Sequence, residues 1–279
     1  MAKSIVYHVI VIGCGGTGGF FIKEFGRFLT RNQEKILLTL IDGDTVEEHN
    51  LDRQSFQEED IGLAKSTILA EALISCFGIP GNRVSSFPVY IDSASQLNSM
   101  VKSSYYGFVN DTNSSNEYLH LPILIGCVDN HAARKVMHEF YTNWYGNIFY
   151  FDAANEFSHG EVVFAGRSQK EELAPPRGII FPEVLTSEDK SRTEMSCTEL
   201  NVHEPQHIVT NMLAANLLLA KTCSLITESE LPQLGLVTFN ALELTSIFRA
   251  YKPVKEQKTT EVKEVKRSGR KRKTSKATA

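Results

Sequence analysis

The sequence predicts an α/β protein built on a Rossmann-like, doubly wound and mostly parallel sheet, with an antiparallel extension towards its C-terminal end. Three observations carry that prediction. Strand-sized apolar runs alternate with helix-periodic stretches through the first half of the chain. The first of these runs ends in a glycine-rich turn that opens a helix. Beyond Asp152 the alternation gives way to a loop-rich stretch, one long helix and a short hairpin.

Each element has its own signal. Residues 6–12 form an apolar run ending in glycines and read as a buried strand. Residues 17–29 carry Phe20, Phe21, Phe25, Phe28 and Leu29 at helical spacing. Residues 36–41 are a second strand, closed by Asp42. Residues 63–76 are a helix with Ala64, Ile68, Ala72 and Cys76 near one face. A third strand is expected over 83–90, although Pro88 weakens it. A helix over 93–106 and a polar loop over 110–117 follow. Residues 121–128 are a fourth strand, 129–145 a helix and 147–152 a fifth strand. Strand–helix alternation in this order puts the strand C-termini on one edge, where open α/β sheets bind ligands. Residues 160–166 read as another strand, 167–202 as loop-rich and 204–225 as a long apolar helix. Residues 235–240 and 244–249 read as a terminal hairpin. Trp144, Tyr145 and the run Phe149–Phe151 are expected in the core.

The composition narrows the class. The chain has 279 residues, of which 42% are hydrophobic, enough for one sizeable core. No apolar run reads as long enough to cross a bilayer, and the start of the chain lacks the pattern of a signal peptide, so a cytoplasmic location without a membrane is expected. Cys14, Cys76, Cys127, Cys197 and Cys223 are odd in number and form no CxxC pair, which argues against a disulfide framework and a tetrathiolate zinc site. Charge is uneven. Residues 251–279 hold eleven Lys or Arg and three Glu, net +8, and the remaining chain is −12. We therefore expect one domain over 1–250 and a basic disordered tail over 251–279. Such a tail suits contact with nucleic acid or an acidic surface, or merely keeps the chain in solution.

Four motifs carry chemistry. Gly13, Gly15, Gly16 and Gly18 lie in a strand–turn–helix setting, where a backbone can approach a phosphate. Asp42 follows the second strand, 24 residues after Gly18, near the spacing of a carboxylate that binds ribose. Both features also fit an NAD-dependent oxidoreductase. Next come Asp44, Asn50, Arg53, Gln54 and Lys65, crowded just beyond that carboxylate. Arg and Lys neutralise phosphate charge and Asn orients a phosphate oxygen, a mix that a triphosphate needs and a dinucleotide does not. Fourth, Asp129 and Asn130 follow the fourth strand, where Asp129 suits Mg2+ shared with phosphates. Asp129 is equally placed to cap the next helix.

Taken together these motifs resemble the ThiF/MoeB/HesA superfamily, the E1-like enzymes that activate ubiquitin-like proteins. The resemblance covers about residues 6–250. Its specific pieces are Asn50-Leu-Asp-Arg53-Gln54 and Cys127-Val-Asp129-Asn130. It most resembles the ThiF-family proteins of PRTRC gene systems, on Gly13–Gly18, Asn50–Phe56, Cys127–Asn130, Ser196–Cys197 and Gln206–Asn211. The resemblance implies a fold of the E1/ThiF type and an ATP-dependent adenylyltransferase. Such an enzyme joins the C-terminal carboxylate of a ubiquitin-like β-grasp protein to AMP. Gly13, Gly15, Gly16 and Gly18 then cradle phosphate and Asp42 holds ribose. Asn50, Arg53 and Lys65 contact phosphates, and Asp44, Gln54 and Asn130 line the same cofactor site. Asp129 holds Mg2+. Cys197 occupies the place of a cysteine that takes the acyl group in some relatives, and an E2-like acceptor and a homodimer are implied.

Two departures bear on activity. The family's CxxC zinc pairs are absent, so no zinc is expected. Many relatives send an N-terminal arginine across a dimer interface to ATP, and here no Arg precedes Arg27. A catalytically weak, E1-like ATP-binding scaffold is therefore an alternative, alongside the oxidoreductase.

Overall fold

The computed structural model describes residues 4–111, 118–169, 171–190 and 206–252. Five parallel strands form its first half: β1 (Ile5–Ile12), β2 (Ile36–Ile41), β3 (Val84–Phe87), β4 (Leu119–Gly126) and β5 (Ile148–Asn155). Their order is β3-β2-β1-β4-β5, so the chain winds outward from β1 in both directions. The connecting helices are α1 (Gly16–Asn32), α2 (Lys65–Phe77), α3 (Ala94–Asp111) and α4 (His131–Asn143).

The side-chain period of two explains the layers. Val9 and Val11 face the core under α1 and α2, whereas Ile10 and Ile12 face the core under α3 and α4. All of β2 is buried, as a strand covered on both faces must be. At the end remote from the glycine turn, polar groups enter the sheet. His8 is fully buried on β1, with Nδ1 2.9 Å from His120 Nε2 on β4 and Nε2 2.7 Å from Thr39 Oγ1 on β2. Tyr105 stacks on His120 at 4.0 Å. Burial, with His120 adding to it, holds His8 well below the usual imidazole range, and burial pushes His120 down to about 4.

Beyond β5 the direction reverses. β6 (His159–Ser168) runs antiparallel to β5, pairing on its other side with β7 (Glu171–Ala174) and β8 (Gly235–Asn240). β9 (Thr245–Ala250) closes the hairpin with β8. Between them lie α5 (Arg177–Ile180), α6 (Glu183–Thr186) and α7 (Ile208–Thr227). By length and composition α7 would pass for a membrane span, against the reading of the sequence. Here it packs on the sheet beside α1, against β5 and β6.

Other expectations shift. β5 continues to Asn155 because β6 pairs with it to the end. Residues 167–202, expected as loop, contain β7, α5 and α6, and the part from 191 on lies outside the described residues. α3 runs to Asp111, through the start of the polar loop expected from 110, and residues 112–117 lie outside the described residues. Tyr145 is not core but 94% exposed. The backbone leaves α4 at Trp144 in an extended conformation, which takes Tyr145 off the buried helical face. Trp144 itself is half-buried, edge-on to His120.

Candidate active site

The first reversal of winding opens a crevice between the C-terminal ends of β1 and β4. Gly13 N–H donates to Ile41 O at 3.0 Å and Cys127 N–H to Ile12 O at 2.8 Å, which pins both turns to the sheet edge. Gly13 has φ +91°, and a Cβ there would lie 2.5 Å from Cys127 O, so no other residue fits. Gly15 opens to the cavity, with Gln54 as its nearest neighbour. Gly18, expected to touch phosphate, lies beneath the turn instead. A Cβ at Gly18 would overlap the Gly13 carbonyl, so this glycine lets α1 sit close to β1. Gly16 is pressed against Asn211 of α7. No acid occupies the first turn of α1, so no side-chain charge there opposes an anion at the positive end of its dipole.

The cavity has a volume of about 1000 Å3. Its first half gathers Gly13, Gly15, Gly16, Asp42, Asp44, Asn50, Arg53, Gln54, Lys65, Asp129 and Asn130, every predicted site residue except Gly18 and Cys197. Cys197 lies outside the described residues.

Asp42 is buried, and both its oxygens accept backbone bonds, from Cys14 N at 2.5 Å and Asp44 N at 2.8 Å. Burial, then Asp44 beside it, pushes its carboxyl up to about 6. Asp44 receives Lys65 Nζ at 3.2 Å and the Tyr90 hydroxyl. Lys65, the first residue of α2, is itself buried, so a hidden cation is held at the cavity wall by one carboxylate. Asn50 is buried in a short 3-10 turn, its Oδ1 accepting from Glu47 N at 3.0 Å and its carbonyl from Gln54 N at 2.9 Å. That turn brings Arg53 and Gln54 to the cavity.

Asp129 is exposed at the cavity, its Oδ1 accepting from Asn130 Nδ2 at 3.2 Å. The cap of α4 is Asn130, whose Oδ1 accepts from Ala133 N at 2.8 Å. Asp129 is thereby released from the capping role that the sequence also allowed. Among the described residues no three His, Cys, Asp or Glu converge as a metal cage. A single accessible carboxylate instead fits Mg2+, which keeps its waters and shares phosphate oxygens.

The second half of the cavity is walled by Ala153–Phe157, His159–Glu161, Arg177 and Phe181. Beneath it lies a buried charged cluster that the sequence reading missed. Asp152 is fully buried, with Arg177 Nε 2.6 Å and Arg134 Nε 3.5 Å from its Oδ2. Arg177 also donates to Glu161 Oε1 at 2.8 Å. A second missed group ties the glycine turn to α7: Thr17 Oγ1 donates to Asn155 Oδ1 at 3.1 Å, and Asn155 Nδ2 donates to Asn211 Oδ1 at 2.8 Å. One signal was there to find. Arg134 falls on the stripe of Met137 and Tyr141, where a cation is out of place unless paired.

The described cysteines are packing groups or lie apart from the cavity. Burial raises the Cys14 and Cys127 thiols far above their usual range and Cys223 to about 11. Cys76 is exposed on α2.

A family model described as the ThiF family matches residues 3–262. No curated protein matches the sequence. Solved structures share the fold. PaaA superposes with a TM-score of 0.56 at 16% identity, over 88% of this chain and 72% of that one. Escherichia coli MccB with MccA-N7isoASN gives 0.55 at 16%, over 89% and 66%. The same enzyme with AMPCPP and MccA gives 0.55 at 17%, over 88% and 65%. The chain thus spans just under two thirds of MccB.

Proposed function

Because the chain belongs to the ThiF family, we propose that it is an ATP-dependent, E1-like adenylyltransferase acting on a C-terminal carboxylate. A ubiquitin-like β-grasp protein is the proposed donor of that carboxylate. One observation carries the reading. A glycine turn, the Asp42 carboxylate, two cations and an accessible aspartate converge on one cavity with a second half walled by β5 and β6. A dinucleotide oxidoreductase has no use for Lys65 and Arg53 beside Asp42, so that reading is not favoured. E. coli MccB has been solved with AMPCPP and MccA, a nucleotide analogue and a second molecule together, which supports the two-part use of the cavity.

In this reading ATP lies with its ribose on Asp42 and its phosphates over Gly13–Gly16 and the start of α1. The acyl donor enters along Ala153–Asn155. A carboxylate oxygen attacks the α-phosphorus, the bond to the bridging oxygen breaks, and pyrophosphate leaves with the electron pair. Lys65 and Arg53 stabilise the charge that develops on the phosphates, and Asn50 keeps the turn that presents Arg53 in place. Asp129 would hold Mg2+, whose chemistry is to neutralise phosphate charge. No side-chain base is required, because the donor is already ionised and positioning supplies most of the acceleration. Transfer of the acyl group to Cys197 or to an E2-like acceptor, a homodimer and a cytoplasmic setting complete the proposal.

Pyrophosphate–ATP exchange tests it. Exchange is expected only when a partner with a free C-terminal carboxylate is present. ATP binding without exchange for any such partner would leave a scaffold. NADH binding without ATP binding would overturn the reading.

A further inference from the structure

We infer that Arg134 is a positioning residue that sets the aspartate proposed to hold Mg2+ against the acyl-donor half of the cavity. The inference rests on the adenylation reading and adds a residue to it.

The last paired residues of β4 and β5 are Gly126 and Asp152. Beyond them the strands part, because β4 turns into α4 while β5 continues along β6. Two carbonyls, of Val128 and Ala153, then have no strand to bond and sit at the cavity floor. A buried, unpaired carbonyl is costly, and a single guanidinium satisfies both. Arg134 Nη2 donates to Val128 O at 2.6 Å and to Ala153 O at 3.2 Å. The side chain is 6% exposed, and its Nε faces Asp152 Oδ2, which Arg177 and Tyr150 also hold. Gly126 must be glycine for Asp152 to fit, since a Cβ there would overlap its Oδ1. The guanidinium therefore replaces the missing rungs of the sheet. It fixes how far the peptide leading into Asp129 stands from Ala153. Lysine has the charge but not the planar fork that reaches two carbonyls and a carboxylate together.

Calorimetry of ATP binding to the full chain, in EDTA and over a series of Mg2+ concentrations up to saturation, tests this with Arg134→Lys, Asp129→Ala and the double variant. Wild type is expected to bind ATP more tightly with Mg2+, and Asp129→Ala to lose that gain. Arg134→Lys is expected to bind ATP in EDTA as wild type does, and to need about tenfold more Mg2+ for half-saturation, the usual cost of losing an outer partner of a metal ligand. In the Asp129→Ala background it should add nothing, because two residues acting on one contact are not additive. A wild-type Mg2+ requirement for half-saturation in Arg134→Lys, or a loss that adds to that of Asp129→Ala, overturns the inference alone. No Mg2+ gain in wild type, or an intact gain in Asp129→Ala, removes the metal role of Asp129 and this inference with it. If Arg134→Lys does not fold, Asp152→Asn, which keeps the guanidinium but loosens its anchor, is expected to show the same selective rise in the Mg2+ needed, and an unchanged Mg2+ half-saturation there refutes it.

Discussion

Raising the pH should cost the wild-type protein stability that an Asp42→Asn variant keeps. Asp42 is 9% exposed at the end of β2, and burial with Asp44 beside it lifts its pKa from 3.8 to about 6. The unfolded chain releases this proton near pH 4, while the fold retains it to about 6. The contribution is therefore fully present below the unfolded value and lost as the pH rises through the folded one. A shift of that size corresponds to about 3 kcal/mol, and about half of it falls between pH 5 and pH 8. Urea unfolding of both proteins at pH 5 and pH 8 isolates the effect, because other titrating groups cancel in the difference. The amide also loses one acceptor for the Cys14 or Asp44 N–H, but that penalty does not depend on pH. The stability gap between variant and wild type should move by about 1–2 kcal/mol in favour of Asn as the pH rises. A gap that stays constant, or moves the other way, refutes the assignment of a destabilised, ionised carboxylate at the cavity.

Three further outcomes are expected. Gly18→Ala places a methyl group on the Gly13 carbonyl and should displace the turn, costing about 1–3 kcal/mol of stability and more than tenfold in ATP affinity by calorimetry; wild-type affinity would contradict the packing role. Asp152→Ala leaves Arg134 and Arg177 buried without their shared anion and should lower urea stability by about 3–5 kcal/mol, whereas a loss under about 1 kcal/mol would show the cluster to be solvated. His8 and His120 are held neutral, so their contribution is present above pH 6.5 and lost as the pH falls towards 4; thermal melts of His120→Gln should show a flatter acid limb than wild type.

The apolar runs announced the parallel half of the fold, because strands buried on both faces leave little room for any other pattern. The 36–41 prediction matches β2 residue for residue. The residues that line the first half of the cavity were brought together by local motifs that the sequence shows: a turn, a strand end and a helix start. The other half was not. Arg134, Asp152 and Arg177 come from three separate elements, and their pairing exists only once β5 and β6 bring those elements together. Tyr145 failed for a different reason. An aromatic residue looks buried to any composition-based reading, and only the place where α4 stops decides which way it points. Asp129 was read as a possible cap of α4, and one hydrogen bond, donated by Ala133 N to Asn130 Oδ1, gives that role to its neighbour.

The contact between the glycine turn and α7 has a consequence for how the protein is made. Thr17 and Asn211 are 194 residues apart, yet their side chains meet, and Asn211 fills the space where Gly16 has no side chain. A chain emerging from the ribosome completes β1 through β5 long before α7 appears. At that stage it carries the described side chains of the first half of the cavity but not the amide that braces the turn. The glycine turn thus gains its brace late, when the last helix docks, and a half-made chain lacks the finished turn.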